Sequence, residues 1–396
     1  MSAPVSDRPD GGRGGAVFGW PPLREELREV EPYGAPQLPV PVALNVNENP
    51  YGPSEAVVRD IADAVAQAAG TLNRYPDREF SELRAALADY LGAEAGVSLV
   101  PSQLWAANGS NEIMLQLLQA FGGPGRTAIS FAPTYSMYPE YARDANTGWV
   151  AGRRHEDFTF DLDHARQMIA EHSPSVVLLP SPNNPTGTAL PHEVIGELCD
   201  LAPGIVVIDE AYAEFRRDGT PSALELLPHH RNLVVTRTMS KAFALAGARL
   251  GYLAASQELT DALRVVRLPY HLSAVTQAVA LAALRHSEEL LGRVADLRAE
   301  RDRTVDWLVG QGHEVAPSDA NFVLFGRFED RQRVWQGLLD RGVLIRVTGP
   351  EGWLRVSVGT PEEMAEFTDA LTETTTELGI QPGTTTTNQS TTEETR

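Results

Sequence analysis

Cysteine is almost missing from this chain: Cys199 is the only one in 396 residues. An intramolecular disulfide is therefore impossible, a multi-cysteine zinc site is excluded, and a reducing cytosolic setting is expected. Positive charge is short as well, with 33 Lys and Arg against 53 Asp and Glu and a formal net charge of −20. That balance opposes phosphate backbones and anionic lipid heads, and no basic patch offsets it, so neither a nucleic-acid nor a membrane-surface partner is expected. Long apolar runs are lacking. The most apolar helical stretch, residues 274–284, is broken by Gln277 and falls short of the roughly 18 residues a membrane span needs. The first twenty residues lack the apolar segment of a signal peptide, so no export is expected and the Asn388 sequon is a chance match in a polar tail. Metal ligands at helical spacing are missing: His192-Glu193 and His229-His230 are too close together for a zinc motif and suit solvated loops. Repeats of solenoid type are also absent.

What is present is an ordinary globular composition, 42% hydrophobic and 22% charged, in a chain long enough for two cores. Residues 1–19 and 379–396 have the composition of disordered tails, the first rich in Gly, Pro and charge and the second in Thr. Between them we expect an N-terminal arm (20–53), a large domain (54–284) and a smaller α+β domain (285–378). Across the large domain, apolar runs of strand length alternate with amphipathic stretches of helix length. The runs are 104–107, 127–131, 176–180, 205–208, 233–236 and 250–254. This rhythm predicts an α/β fold with a mainly parallel central sheet between helices, and polar residues where the strands end, along the edge at which such sheets bind ligands. After residue 284 a long amphipathic helix carrying Leu290, Val294 and Leu297 is expected to link the domains, followed by strands at 321–325 and 353–358 and a closing helix over 361–378.

Several strand ends carry chemistry. Residues 234–243 (VVTRTMSKAF) run from a buried strand into a polar turn that leaves Ser240 and Lys241 at the sheet edge. A lysine there forms an imine with an aldehyde cofactor if its pKa is lowered, and Ser240 with Arg249 suits a phosphate. Taken alone, Lys241 reads as a surface lysine. Residues 204–212 (GIVVIDEAY) end a strand in Asp209, which is either a helix cap or the acidic partner of a pyridine nitrogen, with Tyr212 within reach of a ring hydroxyl. Residues 181–187 (SPNNPTG) stiffen a turn that presents Asn184. In residues 107–112 (ANGSNE) a strand meets a helix start, a cap or a phosphate site, and Tyr135 in PTYSMY is a packed tyrosine or a stacking face. In residues 353–358, Arg355 alternates with Leu354 and Val356 and so faces away from the apolar side.

In this order these segments resemble the fold-type I pyridoxal-phosphate aminotransferases over about residues 45–360. Within them, LNVNENPYGPS (44–54), NRYPD (73–77), SKAF (240–243) and LRVSVGT (354–360) are similar to the histidinol-phosphate aminotransferases, as in part are PYGAPQ (32–37) and PYHLS (269–273). The resemblance implies Lys241 as the Schiff-base lysine, Asp209 as the pyridinium partner, and Asn184 and Tyr212 as partners of the ring oxygen. It implies Ser110, Asn111, Ser240 and Arg249 as phosphate ligands, with Tyr75 donated by the other subunit of a homodimer. It further implies Arg355 as the substrate carboxylate clamp, Arg346 and Tyr33 as candidates for a substrate phosphate, and Asn49 for polar contacts near the amino group. Departures are small: Asn111 stands where Asp is frequent, and Ala244 and Ala248 where Gly and Leu are common. The implied activity is transamination between histidinol phosphate and 2-oxoglutarate. The alternatives are an aromatic amino-acid aminotransferase, a threonine-phosphate decarboxylase on the same fold, and a non-catalytic cofactor-binding module.

Overall fold

The computed structural model describes residues 24–28, 30–32 and 34–380. Residues up to Gly34 form a unit of their own, whose described part holds one 3-10 turn, Glu25–Leu27. The tail expected at 1–19, residues 381–396 of the tail expected at 379–396, and Tyr33 lie outside the described residues.

From Ala35 onward the described residues form one compact unit with two main sheets and a separate two-stranded pair. The larger sheet has seven strands: β1 (Leu104–Ala107), β2 (Thr127–Ala132), β3 (Gly148–Arg153), β4 (Val176–Pro180), β5 (Ile205–Asp209), β6 (Leu233–Thr238) and β7 (Gly251–Ala255), in the order 1-7-6-5-4-2-3. β7 runs antiparallel to both its neighbours, and the other six strands are parallel to one another. Central strands such as β4 (VVLLP) and β5 (IVVID) are buried along their whole length, as helix cover on both faces requires. Six of the seven strands match the apolar runs of the sequence. The seventh, β3, was not expected: it is a half-exposed edge strand whose short apolar stretch, residues 149–151, is bounded by Gly148, Gly152 and Arg153.

Because β1, β2, β4, β5 and β6 point the same way, the residues after them share one edge. Gly109, Tyr135, Ser181, Asp209 and Lys241 all leave the sheet there. The smaller sheet is antiparallel: β8 (Glu314–Val315), β9 (Phe322–Gly326), β10 (Arg346–Val347) and β11 (Trp353–Ser357), in the order 10-11-9-8. Its core also takes in part of the expected N-terminal arm. Val42–Ala43 pairs in parallel with Val343–Leu344, and Val42 and Leu44 pack with Val323, Phe325, Leu354 and Val356.

Three helices matter for the site. α1 (Ser110–Phe121) begins at the shared edge. α2 (Ser287–Gly310) buries Leu290 in the core of the large sheet and Leu308 in that of the small one. Between these, Val294 and Leu297 join a cluster with Tyr212, Phe322 and Val358, so the long helix expected after residue 284 spans both cores. α3 (Pro361–Glu377) opens with a reciprocal cap between Thr360 and Glu363. Among the described residues no helix is long and apolar enough to cross a membrane.

Candidate active site

β6 delivers Lys241 to the sheet edge through a turn held by Thr238, whose hydroxyl accepts from the Ser240 N–H at 3.1 Å. Lys241 Nζ donates to the carbonyl of Val46 at 2.8 Å. Burial, reinforced by the positive charges of Arg355 and Arg249 and opposed by Glu48, pushes the ammonium pKa down from 10.5 to about 8. A substantial fraction of free amine therefore exists near neutrality, which a lysine needs in order to add to an aldehyde.

Asp209 ends β5 and is buried. Its Oδ1 accepts from Thr236 Oγ1 at 3.0 Å and its Oδ2 from Tyr138 Oη at 3.1 Å. Burial lifts its pKa to about 6 despite these donors and the Ala211 N–H. A cation set against this carboxylate would restore its ionised form, so the position suits a protonated ring nitrogen. Tyr212 lies beyond it, with its ring edge-on to Phe322 at 5.0 Å. Tyr212 Oη accepts from Asn184 Nδ2 at 3.3 Å and Asn47 Nδ2 at 3.0 Å.

Arg355, buried on β11, donates to Asn184 Oδ1 at 2.6 Å and to the Asn45 carbonyl at 3.0 Å, with its guanidinium 5.1 Å from the Phe322 ring centre. Arg346 stands opposite it in the β10–β11 register and is half-buried. The structure therefore joins Arg355, Asn184 and Tyr212 in one hydrogen-bonded chain.

Ser110 and Asn111 occupy the first turn of α1, where backbone N–H groups have no partner within the helix. Gly109 precedes them at φ +89°, and a Cβ built on it would fall 2.6 Å from Arg249 Nη2. The Arg249 guanidinium thus lies against the helix start, with Nη1 donating to the Ala246 carbonyl at 3.1 Å and 3.5 Å from Ser240 Oγ. Tyr135, half-buried, packs edge-on to Tyr138 at 5.5 Å, and Tyr138 is the residue that holds Asp209.

This set fits pyridoxal phosphate on its own chemistry. A helix start with two serines and an arginine suits the phosphate, and a glycine there admits a group that a Cβ would displace. A carboxylate suits the ring nitrogen, a phenol and an amide suit the ring oxygen, and a depressed lysine suits the aldehyde.

Two further expected residues have other partners in the single chain. Tyr75 is 78% exposed and stacks on Tyr270, with ring centres 4.3 Å apart. Asn49 ties the chain together, donating to the Ala242 carbonyl at 3.2 Å and accepting from the Tyr51 N–H at 3.0 Å. The sequence reading passed over four residues: Tyr138 and Thr236 on Asp209, and Asn47 with Ser357 beside Tyr212. Period-two alternation offered a signal for one of them, since Ser357 lies on the Arg355 side of β11.

The model of the family described as aminotransferase class I and II matches residues 39–371. The histidinol-phosphate aminotransferase of Thermobifida fusca is 63% identical over 350 residues, covering 88% of this chain and 94% of the relative. That of Bifidobacterium longum is 59% identical, covering 89% and 96%. The structure of histidinol-phosphate aminotransferase from Sinorhizobium meliloti in complex with pyridoxal-5'-phosphate superposes with a TM-score of 0.75 at 26% identity, covering 86% of this chain and 92% of that one. Thermus thermophilus aspartate aminotransferase with maleate gives a TM-score of 0.73 at 28% identity, covering 85% and 91%. With an amine, a carboxylate, a phenol and an anion cradle on one edge of a mostly parallel sheet, the chain belongs to the class I and II aminotransferase family.

Proposed function

We propose that the protein uses pyridoxal phosphate to transfer an amino group between L-histidinol phosphate and 2-oxoglutarate, giving imidazole-acetol phosphate and L-glutamate, a step of histidine biosynthesis. The observation that carries this reading is the meeting of Lys241, Asp209, Tyr212 and Arg355 around one sheet edge. It stands in a chain whose relatives at 55–63% identity bear the histidinol-phosphate aminotransferase name.

Bound there, pyridoxal phosphate supplies an aldehyde that takes up amines and a ring that withdraws electrons from the substrate carbon. Ser110, Asn111, Ser240 and Arg249 hold its phosphate, Tyr135 stacks on its ring, Asp209 keeps its nitrogen protonated, and Tyr212 and Asn184 bond its ring oxygen. Lys241, with a pKa near 8, serves as a proton carrier at the amine-bearing substrate carbon. Arg355 grips the carboxylate of glutamate, or the polar end of histidinol phosphate. Arg346 is the candidate for the substrate phosphate, and Asn49 for polar contacts near the amino group. Residues 54–284 form the cofactor-binding part and residues 285–378 the smaller part. The working form is a cytoplasmic homodimer in which Tyr75, exposed in the single chain, reaches the phosphate of the neighbouring site.

Turnover of histidinol phosphate, phenylalanine and threonine phosphate, each with 2-oxoglutarate, tests the reading. Glutamate should form fastest from histidinol phosphate and not at all with Lys241→Ala. Faster turnover of phenylalanine, or carbon dioxide release from threonine phosphate, would overturn the substrate assignment. Undiminished activity in Lys241→Ala would overturn the chemistry.

A further inference from the structure

Three consecutive residues before Glu48 touch three different site residues. The Asn45 carbonyl accepts from Arg355, the Val46 carbonyl from Lys241, and the Asn47 amide bonds Tyr212. Asn47 is buried and left-handed at φ +58°, a conformation that costs most side chains about 1 kcal/mol or more and that Asn tolerates better. Four contacts fix it in place. Its N–H donates to Ser357 Oγ at 2.8 Å, its Oδ1 accepts from the same hydroxyl at 2.9 Å, its carbonyl accepts from Asn321 Nδ2 at 3.1 Å, and its Nδ2 reaches Tyr212 Oη at 3.0 Å.

Arginine only donates, so Asn184 must turn its oxygen to Arg355 and its NH2 to Tyr212. Ser357 Oγ accepts the Asn47 N–H and gives its own hydrogen to Asn47 Oδ1, with the Asn47 NH2 turned to Tyr212 as well. Two amides then donate to one phenolic oxygen, and the Tyr212 hydrogen must be given away from both of them.

We propose that Asn47, oriented by Ser357, is a positioning residue for transamination: with Asn184 it fills the acceptor sites of Tyr212 and so fixes the tyrosine as a hydrogen-bond donor toward the ring oxygen of the cofactor. This rests on the aminotransferase reading above. With the cofactor held there, a hydrogen bond donated by Tyr212 to that oxygen would favour the oxygen's anionic form and would ease loss of a proton from Lys241 Nζ. Loosening Tyr212 makes that proton harder to remove.

The test is a pH titration of the visible absorbance of the pyridoxal-phosphate-loaded enzyme without substrate, together with kcat, KM and melting of the cofactor-free protein. Asn47→Ala should move the spectral midpoint upward by about half a unit to one unit and lower kcat by about 3- to 10-fold, the effect of losing one hydrogen bond. Asn47→Asp keeps the shape but cannot donate, so it should shift the midpoint at least as far. Ser357→Ala should give a smaller shift, Ser357→Thr should restore the wild-type midpoint, and the Asn47→Ala, Ser357→Ala double variant should be no worse than Asn47→Ala alone. The Ser357 variants keep the question open to test if Asn47→Ala does not fold. A wild-type midpoint in Asn47→Asp, or lowered melting with unchanged midpoints in Asn47→Ala and Ser357→Ala, overturns the proposal. Wild-type protein that takes up pyridoxal phosphate without a pH-dependent visible band overturns the aminotransferase reading instead.

Discussion

Arg355 Nη1 stands 2.6 Å from Asn184 Oδ1, and the other end of the same amide reaches Tyr212 Oη at 3.3 Å. One guanidinium therefore serves the Asn45 carbonyl, the amide and, on the proposed reading, the substrate. Only a planar fork with several fixed donors can do this, and a lysine offers a single compact charge. Arg355→Lys should raise the KM for glutamate by about 10-fold or more, as expected when a bidentate charge-assisted pair is lost. Histidinol phosphate has no carboxylate, so its KM should rise less. Steady-state kinetics with both substrates checks this, and equal increases would count against a carboxylate role for Arg355.

Asp209 links site chemistry to stability. Burial raises its pKa from 3.8 to about 6, so between those values the folded state holds more protons than the unfolded one. The stability this residue contributes is present below the lower value and is lost as pH climbs through about 6. Asp209→Asn cannot ionise and escapes that loss. The melting temperature of the cofactor-free variant, relative to wild type, should therefore rise between pH 5 and pH 8. Activity should move the other way. A neutral amide cannot hold the ring nitrogen protonated, and kcat should fall by about 100-fold or more, the scale of losing a preorganised electrostatic partner. A relative melting temperature that is flat with pH would show that Asp209 is already ionised without the cofactor.

Gly109 separates affinity from catalysis. At φ +89° an alanine is strained by about 1–3 kcal/mol, and its Cβ would lie 2.6 Å from Arg249 Nη2. The arginine must then leave the start of α1. Gly109→Ala should weaken pyridoxal-phosphate binding by about 10-fold or more, consistent with that strain, and kcat at saturating cofactor should change much less. Fluorescence or absorbance titration of the cofactor-free protein measures the first quantity and steady-state assays the second.

The strands and the residues that end them were legible because local pattern governs both. Runs such as VVLLP and IVVID are apolar on both faces, and only a sheet covered on both sides buries them. Lys241, Asp209 and Asn184 follow such runs directly, so finding the strands found the residues. β3 was not legible, since an edge strand with two glycines and half-exposed residues has no periodicity to detect. Contacts between distant segments were invisible for a different reason. Val42–Ala43 pairs with Val343–Leu344 across some 300 residues, and the Asn47 and Ser357 pair is 310 apart. Neither half of such a pair carries a local signal. Asn49, singled out in the same segment, binds the Ala242 carbonyl, while its neighbour Asn47 holds Tyr212.

Tyr75 offers the sharpest test of assembly. A tyrosine 78% exposed and stacked on Tyr270, itself 38% exposed, leaves a large aromatic surface in water in the single chain, and Leu72 and Leu268 nearby in sequence are exposed as well. Interfaces are enriched in such aromatic anchors. If Tyr75 completes the neighbouring site, a Tyr75→Ala subunit keeps a sound lysine but spoils its partner's phosphate cradle, and a Lys241→Ala subunit does the reverse. Each homodimer should be weak, Lys241→Ala inactive and Tyr75→Ala reduced in cofactor affinity. In a mixed dimer, the site carrying Lys241 receives Tyr75 from the Lys241→Ala subunit and is whole. Unfolding and refolding the two variants together should therefore regain activity at low cofactor, with about one sound site per mixed dimer by the symmetry of a twofold assembly. If Tyr75 instead acts within its own chain, no mixed dimer contains a whole site, and mixing should yield no more than the sum of the two parents.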